Sequence, residues 1–343
     1  MERFTLVSTV FNERKRLDQT LADLAAQTLP PAELIVVDAG STDGTYEALQ
    51  AYAATAPYPV RVVRQPGANI AQGRNYAIAN ASYDLIASTD FGCRFSPGWL
   101  QSIIAPFAAD ASLEVVGGAF TIQRGEVQGA AARADYILAA GYPPDTSGLF
   151  SVSSRSIAFR RAVWRKIGGY QEWLTLAADD TIFWRQIKHG GYKYALVAEP
   201  HVFWMRHSSY LGFAKENFRY GLGDGESGIN RRNFFSHLVE TSARYVGFAL
   251  MLLLLVGLAL GWPVGWLALP GVAAMGLGLR SYRNAYRNFT GLRTQGYRWA
   301  DYLNALKLIE YTRLFYMRGY IKGWLLAPAR VRQGRAQFKP LPA

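Results

Sequence analysis

Apolar and polar positions along the first ninety residues alternate between two rhythms. Phe4–Val10 is a strand-like apolar run that closes on Phe11-Asn12-Glu13, after which Leu17, Leu21, Leu24 and Ala25 recur at helical spacing. The β-branched run Ile35-Val36-Val37 reads as a buried parallel strand that ends at Asp38. It breaks into a Gly/Ser/Thr/Asp turn from which a helix starts at Thr45. A strand at Val60–Arg64, a helix from Ala71 to Asn80 and a strand over Asp84–Thr89 continue the alternation and run into Asp90. The pattern predicts an α/β doubly wound sheet.

The rhythm changes in the last third. Residues 245–279 carry no charge, a run of 35 residues, and Gly261-Trp262-Pro263 marks a turn near its middle. One membrane span takes about 20 apolar residues, with roughly 17 as a short limit. The run therefore predicts two short transmembrane helices, 243–261 and 264–280, joined by a tight hairpin. Pro263, Pro270 and several glycines oppose one long tilted helix, and a re-entrant hairpin is the other alternative. From Ala300 to Ala327 apolar positions return at helical spacing with Lys307, Arg313, Arg318 and Lys322 among them, as in a helix facing anionic lipid. Arg330–Ala343 is basic, holds two prolines and is expected to be disordered.

Charge locates the polar side. The net charge of +12 divides into +1 over residues 1–244 and +11 over 280–343, so no basic footprint for nucleic acid lies on the α/β part. Arg244 flanks one arm of the expected hairpin and Arg280, Arg283 and Arg287 the other. The excess of basic residues puts both ends, and with them the α/β domain and the tail, in the cytosol. The chain enters a strand at once, so no signal peptide is expected. A single cysteine, Cys93, admits no intrachain disulfide. The expected organisation is an α/β domain with its interface helix over 1–230, a juxtamembrane segment over 231–244, the hairpin over 245–280 and a basic cytosolic tail with an amphipathic helix over 281–343.

Ligands of open α/β sheets sit beyond the carboxyl ends of the strands, where Asp38 and Asp90 stand. Each strand-end acid is either a ligand contact or a helix cap. Asn69, Arg74 and Asn75 fall on a loop and helix N-terminus, a place that suits anions; the other reading is a capped helix with an exposed Arg. Asp179 and Asp180 precede a helix over Thr181–His189, where Asp is also a favoured cap.

Taken in order, STVFNE, VVDAGSTDGT, GANIAQGRNYAIANA, STDFGC and AADDTIFWRQIKHGG resemble family-2 glycosyltransferases of the GT-A fold, over roughly residues 4–225. The resemblance implies a Rossmann-like nucleotide-sugar-binding domain. Its donor pocket would be formed by Thr9, Phe11, Asn12, Glu13, Asp38 and Gly40, with Asp38 on the nucleotide base, and by Asn69, Arg74, Asp90 and Arg206, with Arg206 on the leaving diphosphate. Asp90 matches the first acid of the family's Asp-x-Asp metal motif, while Gly92 replaces the second. Mg or Mn held through Asp90 is the favoured expectation, and a metal-free site built on Arg and Lys the alternative. An inverting transfer needs a base for the acceptor hydroxyl. Asp180 is assigned that role, with Asp179 as its partner or an acceptor contact.

Ser153, Ser154 and Asp224 are expected on the acceptor side, although Asp224 in Gly-Asp-Gly also suits a turn. Tyr210, Phe213, Ala214 and Phe218 would lie on an interfacial amphipathic helix. The implied protein is an integral-membrane transferase. It would use a nucleotide-sugar donor and a lipid-linked acceptor, contact membrane lipids, bind no nucleic acid and possess the option of a homo-oligomer. The alternatives are a processive polysaccharide synthase, which would use more membrane helices, and a non-catalytic nucleotide-sugar-binding membrane protein.

Overall fold

Period-two alternation sends Phe4, Leu6 and Val10 of β1 (Phe4–Val10) to one face of a sheet and Val7 to the other. In β2 (Glu33–Asp38), Leu34 and Val36 face one way and Ile35 and Val37 the other. A strand apolar on both faces needs helices on both, and the computed structural model, which describes residues 2–143 and 150–338, supplies them. On one side lie α1 (Arg14–Ala25), α2 (Thr45–Thr55) and α4 (Trp99–Ala109), through Leu17, Leu21, Leu49, Trp99 and Ile103. On the other lie α3 (Ile70–Ala79), α6 (Arg161–Ile167) and α7 (Asp179–His189), through Ala71, Ile78, Val163, Phe183 and Ile187.

The remaining strands are β3 (Val60–Arg64), β4 (Leu85–Ser88), β5 (Cys93–Phe95), β6 (Val115–Thr121), β7 (Ile157–Arg160) and β8 (Tyr194–Trp204). They form one mixed eight-stranded sheet ordered β3-β2-β1-β4-β7-β6-β8-β5. The first four are mutually parallel, so Val10 stands beside Asp38 in register and their carboxyl ends open on one edge. Strand β7 runs antiparallel to β4 and β6, which ends the parallel half of the sheet.

The described residues fall into two compact units. The first holds the sheet and comprises Met1–Glu126, Pro143–Arg206 and Pro328–Ala343. Its last helix, α13 (Ala329–Gln337), corrects the expectation of a disordered terminus: Val331 is fully buried, and Gly334 lies where any Cβ would strike the Trp173 ring. Residues 339–343 lie outside the described part.

The second unit, Val127–Tyr142 with His207–Ala327, is helical. It holds α5 (Gly129–Leu138), α8 (Tyr210–Ser227), α9 (Arg231–Ala259), α10 (Ala268–Gly278), α11 (Arg280–Leu292) and α12 (Trp299–Leu325). Helix α8 packs on α12 backbone to backbone. A Cβ at Gly221 would lie 2.0 Å from the Tyr316 carbonyl oxygen, one at Gly225 2.2 Å from that of Tyr320, and one at Gly319 2.2 Å from that of Phe218. The spacings Gly221-x-x-x-Gly225 and Gly319-x-x-x-Gly323 form the two sides of this seam. The apolar side of α8 that predicted an interfacial helix thus has a protein partner. Gly-Asp-Gly is helix interior rather than a turn, because small residues are what close helix contact requires.

Helix α9 is long and apolar enough to cross a membrane, and only 22% of its most apolar window is buried. Leu252, Leu253, Leu255 and Leu258 are each more than half exposed. After a turn at Gly261, α10 packs back along it, with Gly278 on the backbone of Arg244 and Gly247 on that of Met275. At 1.5 Å per residue α10 is only about 17 Å long, against roughly 30 Å of bilayer hydrocarbon, so it is shorter than the expected second arm, 264–280.

Candidate active site

The carboxyl ends of the parallel strands carry the acids the sequence places there. Asp38 closes β2 and is fully buried. Its Oδ1 accepts from the backbone N–H of Gly40 and Ser41, both at 2.9 Å, and Arg64 Nε lies at 3.9 Å. Its Oδ2 has no hydrogen-bond partner among the described residues. A buried, unsatisfied carboxylate oxygen is costly unless a ligand donor completes it. The turn that sets this geometry depends on Gly40, at φ +97° with Pro66 Cα only 3.0 Å from where a Cβ would stand.

Across the cleft of the strand ends, Asn12 (φ +55°) receives the N–H of Thr42 on its Oδ1 and donates its own N–H to the Ser41 hydroxyl. The Glu13 N–H donates to the Thr45 hydroxyl, and Thr9 Oγ1 donates to the Val37 carbonyl. These bonds tie the end of β1 to the loop after β2. Phe11 stands 57% exposed beside them, a ring left open to a partner.

Arg74 draws three expected residues together. It lies on α3, side chain almost fully buried, and bridges Asp90 with one terminal nitrogen and Asp179 with the other. Its guanidinium lies 5.4 Å from the centroid of the Tyr170 ring. The two carboxylates hold Arg74 firmly protonated, against the effect of burial. Burial in turn raises the pKa of Asp179, with Arg74 opposing and Asp180 and Asp90 adding to the rise. Asp180, half-buried, accepts from Ser153 Oγ at 2.8 Å and from the Thr181 N–H at 2.7 Å. Asp179 is therefore committed to Arg74, whereas Asp180 keeps contact with solvent.

Other expected residues serve the scaffold. Asn69 caps α3 through Oδ1 to the Gln72 N–H, and its amide donates to the carbonyls of Glu172 and Leu174. Asn75 is spent on Tyr170, Trp164 and Glu172 in the same way. Ser154 is buried against the Tyr170 hydroxyl at 2.9 Å. Asp224 belongs to the helical unit, where it accepts from Tyr316 at 2.6 Å and Asn230 at 3.0 Å. Cys93 is buried on β5, and burial pushes its thiol up to about 12.

Two residues beyond the expected set complete the site. Arg155 lies 3.8 Å from Asp90 Oδ2, donates to Ser153 Oγ at 3.2 Å and stacks 4.2 Å from the centroid of the Trp204 ring. Arg206 stacks on the same indole at 3.8 Å. Only the interleaving of Arg155 with Ser153 and Ser154 marked it in the sequence. Trp204 becomes visible only when β8 pairs with β5, placing it opposite Cys93.

Among the described residues no three His, Cys, Asp or Glu side chains cluster as a metal cage. Asp90 is about one-third exposed, and a Cβ on Gly92 would meet nothing within 4 Å. Asp90 carries Arg74 on Oδ1 and Arg155 3.8 Å from Oδ2, and its one-third-exposed edge faces this open space, where a hard cation would draw its other ligands from phosphate oxygens and water.

Residues 5–168 match the family described as Glycosyl transferase family 2. The validoxylamine A glucosyltransferase of Streptomyces hygroscopicus subsp. limoneus is 34% identical over 116 residues, which are 33% of this chain and 26% of that protein. The hyaluronan synthase of Pasteurella multocida is 32% identical over 116 residues, 33% of this chain and 12% of the synthase. The match thus spans about a quarter or less of these relatives. The mannosyltransferase PcManGT from Pyrobaculum calidifontis, solved in complex with GDP-Man and Mn2+, superimposes with a TM-score of 0.53 at 17% identity, over 95% of this chain and 88% of that one. Fold, motif order and family match converge on residues 5–168: this part of the chain, just under half of it, resembles a family-2 glycosyltransferase domain of the GT-A fold.

Proposed function

We propose that the chain is a membrane-bound, inverting glycosyltransferase that moves a sugar from a nucleotide-sugar donor to a lipid-linked acceptor at the cytosolic membrane face. The observation that carries the transfer reading is Arg74 joining Asp90 to Asp179, with Asp180 next in line and half-open to solvent. Asp38 Oδ2 takes an N–H of the nucleotide base, the donor its buried oxygen lacks. Arg155 and Arg206, held on Trp204, face the diphosphate. Asp180 takes the proton of the acceptor hydroxyl as that oxygen bonds the anomeric carbon, and the bond from that carbon to the diphosphate oxygen breaks on the opposite side. Ser153 orients Asp180 through the 2.8 Å hydrogen bond.

Asp90 would hold a Mg or Mn ion together with the donor's diphosphate oxygens; such an ion neutralises charge on the leaving group. GDP-Man and Mn2+ accompany the mannosyltransferase neighbour, which supports a nucleotide-sugar donor of this kind. Membrane attachment is supported by the exposed leucines of α9 and by the basic residues that bound the charge-free run. The lipid acceptor is read from that attachment and from analogy with the family, and no residue of the chain carries it.

The test is transfer and hydrolysis by the detergent-solubilised chain against UDP-, GDP- and dTDP-sugars, with membrane lipid extract as acceptor, with Mg or Mn and with EDTA. One donor turned over only with lipid extract supports the reading. Turnover with soluble acceptors alone removes the lipid acceptor, and undiminished turnover in EDTA removes the metal at Asp90. Donor-induced stabilisation with no turnover anywhere makes the chain a sugar-nucleotide-binding protein.

A further inference from the structure

Five helices of the second unit meet around a cleft of about 380 Å³, with residues from α5, α8, α9, α11 and α12 on its walls. The lining is strongly polar. Arg280, Asn284 and Asn288 enter at i, i+4 and i+8 from α11, His237 from α9, Asn217 from α8 and Arg313 from α12.

The one acid in this lining, Glu240, is fully engaged. It accepts the Ser281 N–H at 2.6 Å on one oxygen and Arg313 at 3.1 Å on the other. Arg280 has no such partner: among the described residues it makes no ion pair. His237 Nδ1 is buried without a hydrogen-bond partner among the described residues. The cleft therefore holds a guanidinium in excess and an imidazole nitrogen unused, beside amide and hydroxyl donors, and its chemistry calls for an oxyanion.

Its place in the unit narrows the source. Arg280 is the first charge after the charge-free run 245–279, and Glu240 lies five residues before that run begins. The cleft thus sits where the two arms of the α9–α10 pair leave their apolar stretch, at the depth where headgroups meet an embedded helix. The leucines of α9 just beyond it are exposed. We propose that this cleft binds the phosphate of an anionic lipid headgroup, with Arg280 as the principal cation and Asn284 and His237 as further contacts. The inference rests on the membrane placement proposed above and is independent of the transfer chemistry.

Free phosphate offers the same oxyanion, so the experiment separates the two. The full chain in neutral detergent is titrated with phosphatidylglycerol, phosphatidylcholine or inorganic phosphate while its thermal midpoint and apparent Kd are followed, with no donor present. Phosphatidylglycerol is expected to raise the midpoint and the other two to do so far less. Arg280→Gln should weaken the phosphatidylglycerol Kd about fivefold. Asn284→Asp, which adds a negative charge to the same wall, should weaken it as well. Arg293→Gln, an equal loss of charge outside the lining, should leave it unchanged. Equal response to phosphatidylcholine, equal response to free phosphate, or an Arg293→Gln effect as large as that of Arg280→Gln overturns the assignment. Carbonate extraction from vesicles reads the membrane placement separately. A chain that discriminates headgroups in detergent but washes off vesicles keeps this site and loses that placement.

Discussion

Three carboxylates of the helical unit and Asp38 at the end of β2 are completed in opposite ways. In the helical unit, Asp224 accepts from Tyr316 and Asn230, Glu240 from Arg313 and Ser281, and Glu310 from Tyr245 and Tyr282 while pairing with Arg244 at 2.7 Å. Each has both oxygens occupied by the protein. In the sheet unit, Asp38 keeps a buried oxygen with no hydrogen-bond partner among the described residues, and Asp180, whose oxygens accept from Ser153 and Thr181, stays half-open to solvent. Satisfied acids hold helices together; an acid left incomplete at a strand end, as Asp38 is, is positioned for something the chain does not itself contain. Residue type alone does not separate the two classes. Whether the fold leaves an oxygen without a partner, as at Asp38, or the carboxylate partly open to solvent, as at Asp180, does.

The sharpest way to break that comparison is to neutralise one acid of each class. Asp180→Asn should lower kcat by a factor of about 10²–10⁴, the range for loss of a general base, with little change in donor KM or thermal midpoint. Asp224→Asn should leave kcat intact, and its cost should appear in the midpoint instead. Steady-state kinetics and thermal unfolding on both variants decide it: full activity in Asp180→Asn removes the general base.

Next in size is the arginine that joins Asp90 to Asp179. Arg74→Gln takes the countercharge from the buried Asp179 and leaves Asp90 with Arg155 at 3.8 Å, and breaking a buried pair costs about 3–5 kcal/mol. The variant should unfold well below the parent and show no transfer. Adding Asp179→Asn to it should recover part of the midpoint without the activity. No recovery would mean that Arg74 stabilises through its packing near Tyr170 rather than through charge.

How far the sequence led follows from where each signal lives. Strand–helix alternation and strand-end acids are local, so Asp38, Asp90 and the Asp179–Asp180 pair could be read directly. The ties that make them a site are not local: Arg74 meets Asp179 across 105 positions, and Arg155 meets Trp204 only through sheet pairing. Asn69 shows the opposite error. Its position at a helix start pointed to a ligand contact, yet both ends of its amide are consumed by α3 and by the segment through Leu174. The glycine seam was hidden because Gly-Asp-Gly reads as a turn by composition. Only the second Gly-x-x-x-Gly on α12, nearly a hundred positions on, reveals it as a packing surface.

That seam predicts a defect confined to the helical unit. Gly225→Leu would push a side chain into the Tyr320 carbonyl, and overpacking of this kind costs about 1–3 kcal/mol or more. Protease sensitivity should rise first at α8 and α12, while donor binding by the sheet unit survives. A uniform loss of protection across both units would show that they unfold as one.

The smallest expected effect tests the charge state inside the site. Burial raises the folded pKa of Asp179 above its free-chain value of 3.8. A raised carboxylate binds more protons in the folded state than in the unfolded one, so its contribution to stability falls as pH rises from about 4 through the folded value. Asp179→Asn cannot ionise and lacks that slope. The difference in unfolding free energy, parent minus variant, should therefore decline as pH goes from 4 to 7 and level off beyond. If it climbed instead, the guanidinium of Arg74 would outweigh burial, and Asp179 would belong with the satisfied acids of the helical unit rather than with its neighbour Asp180.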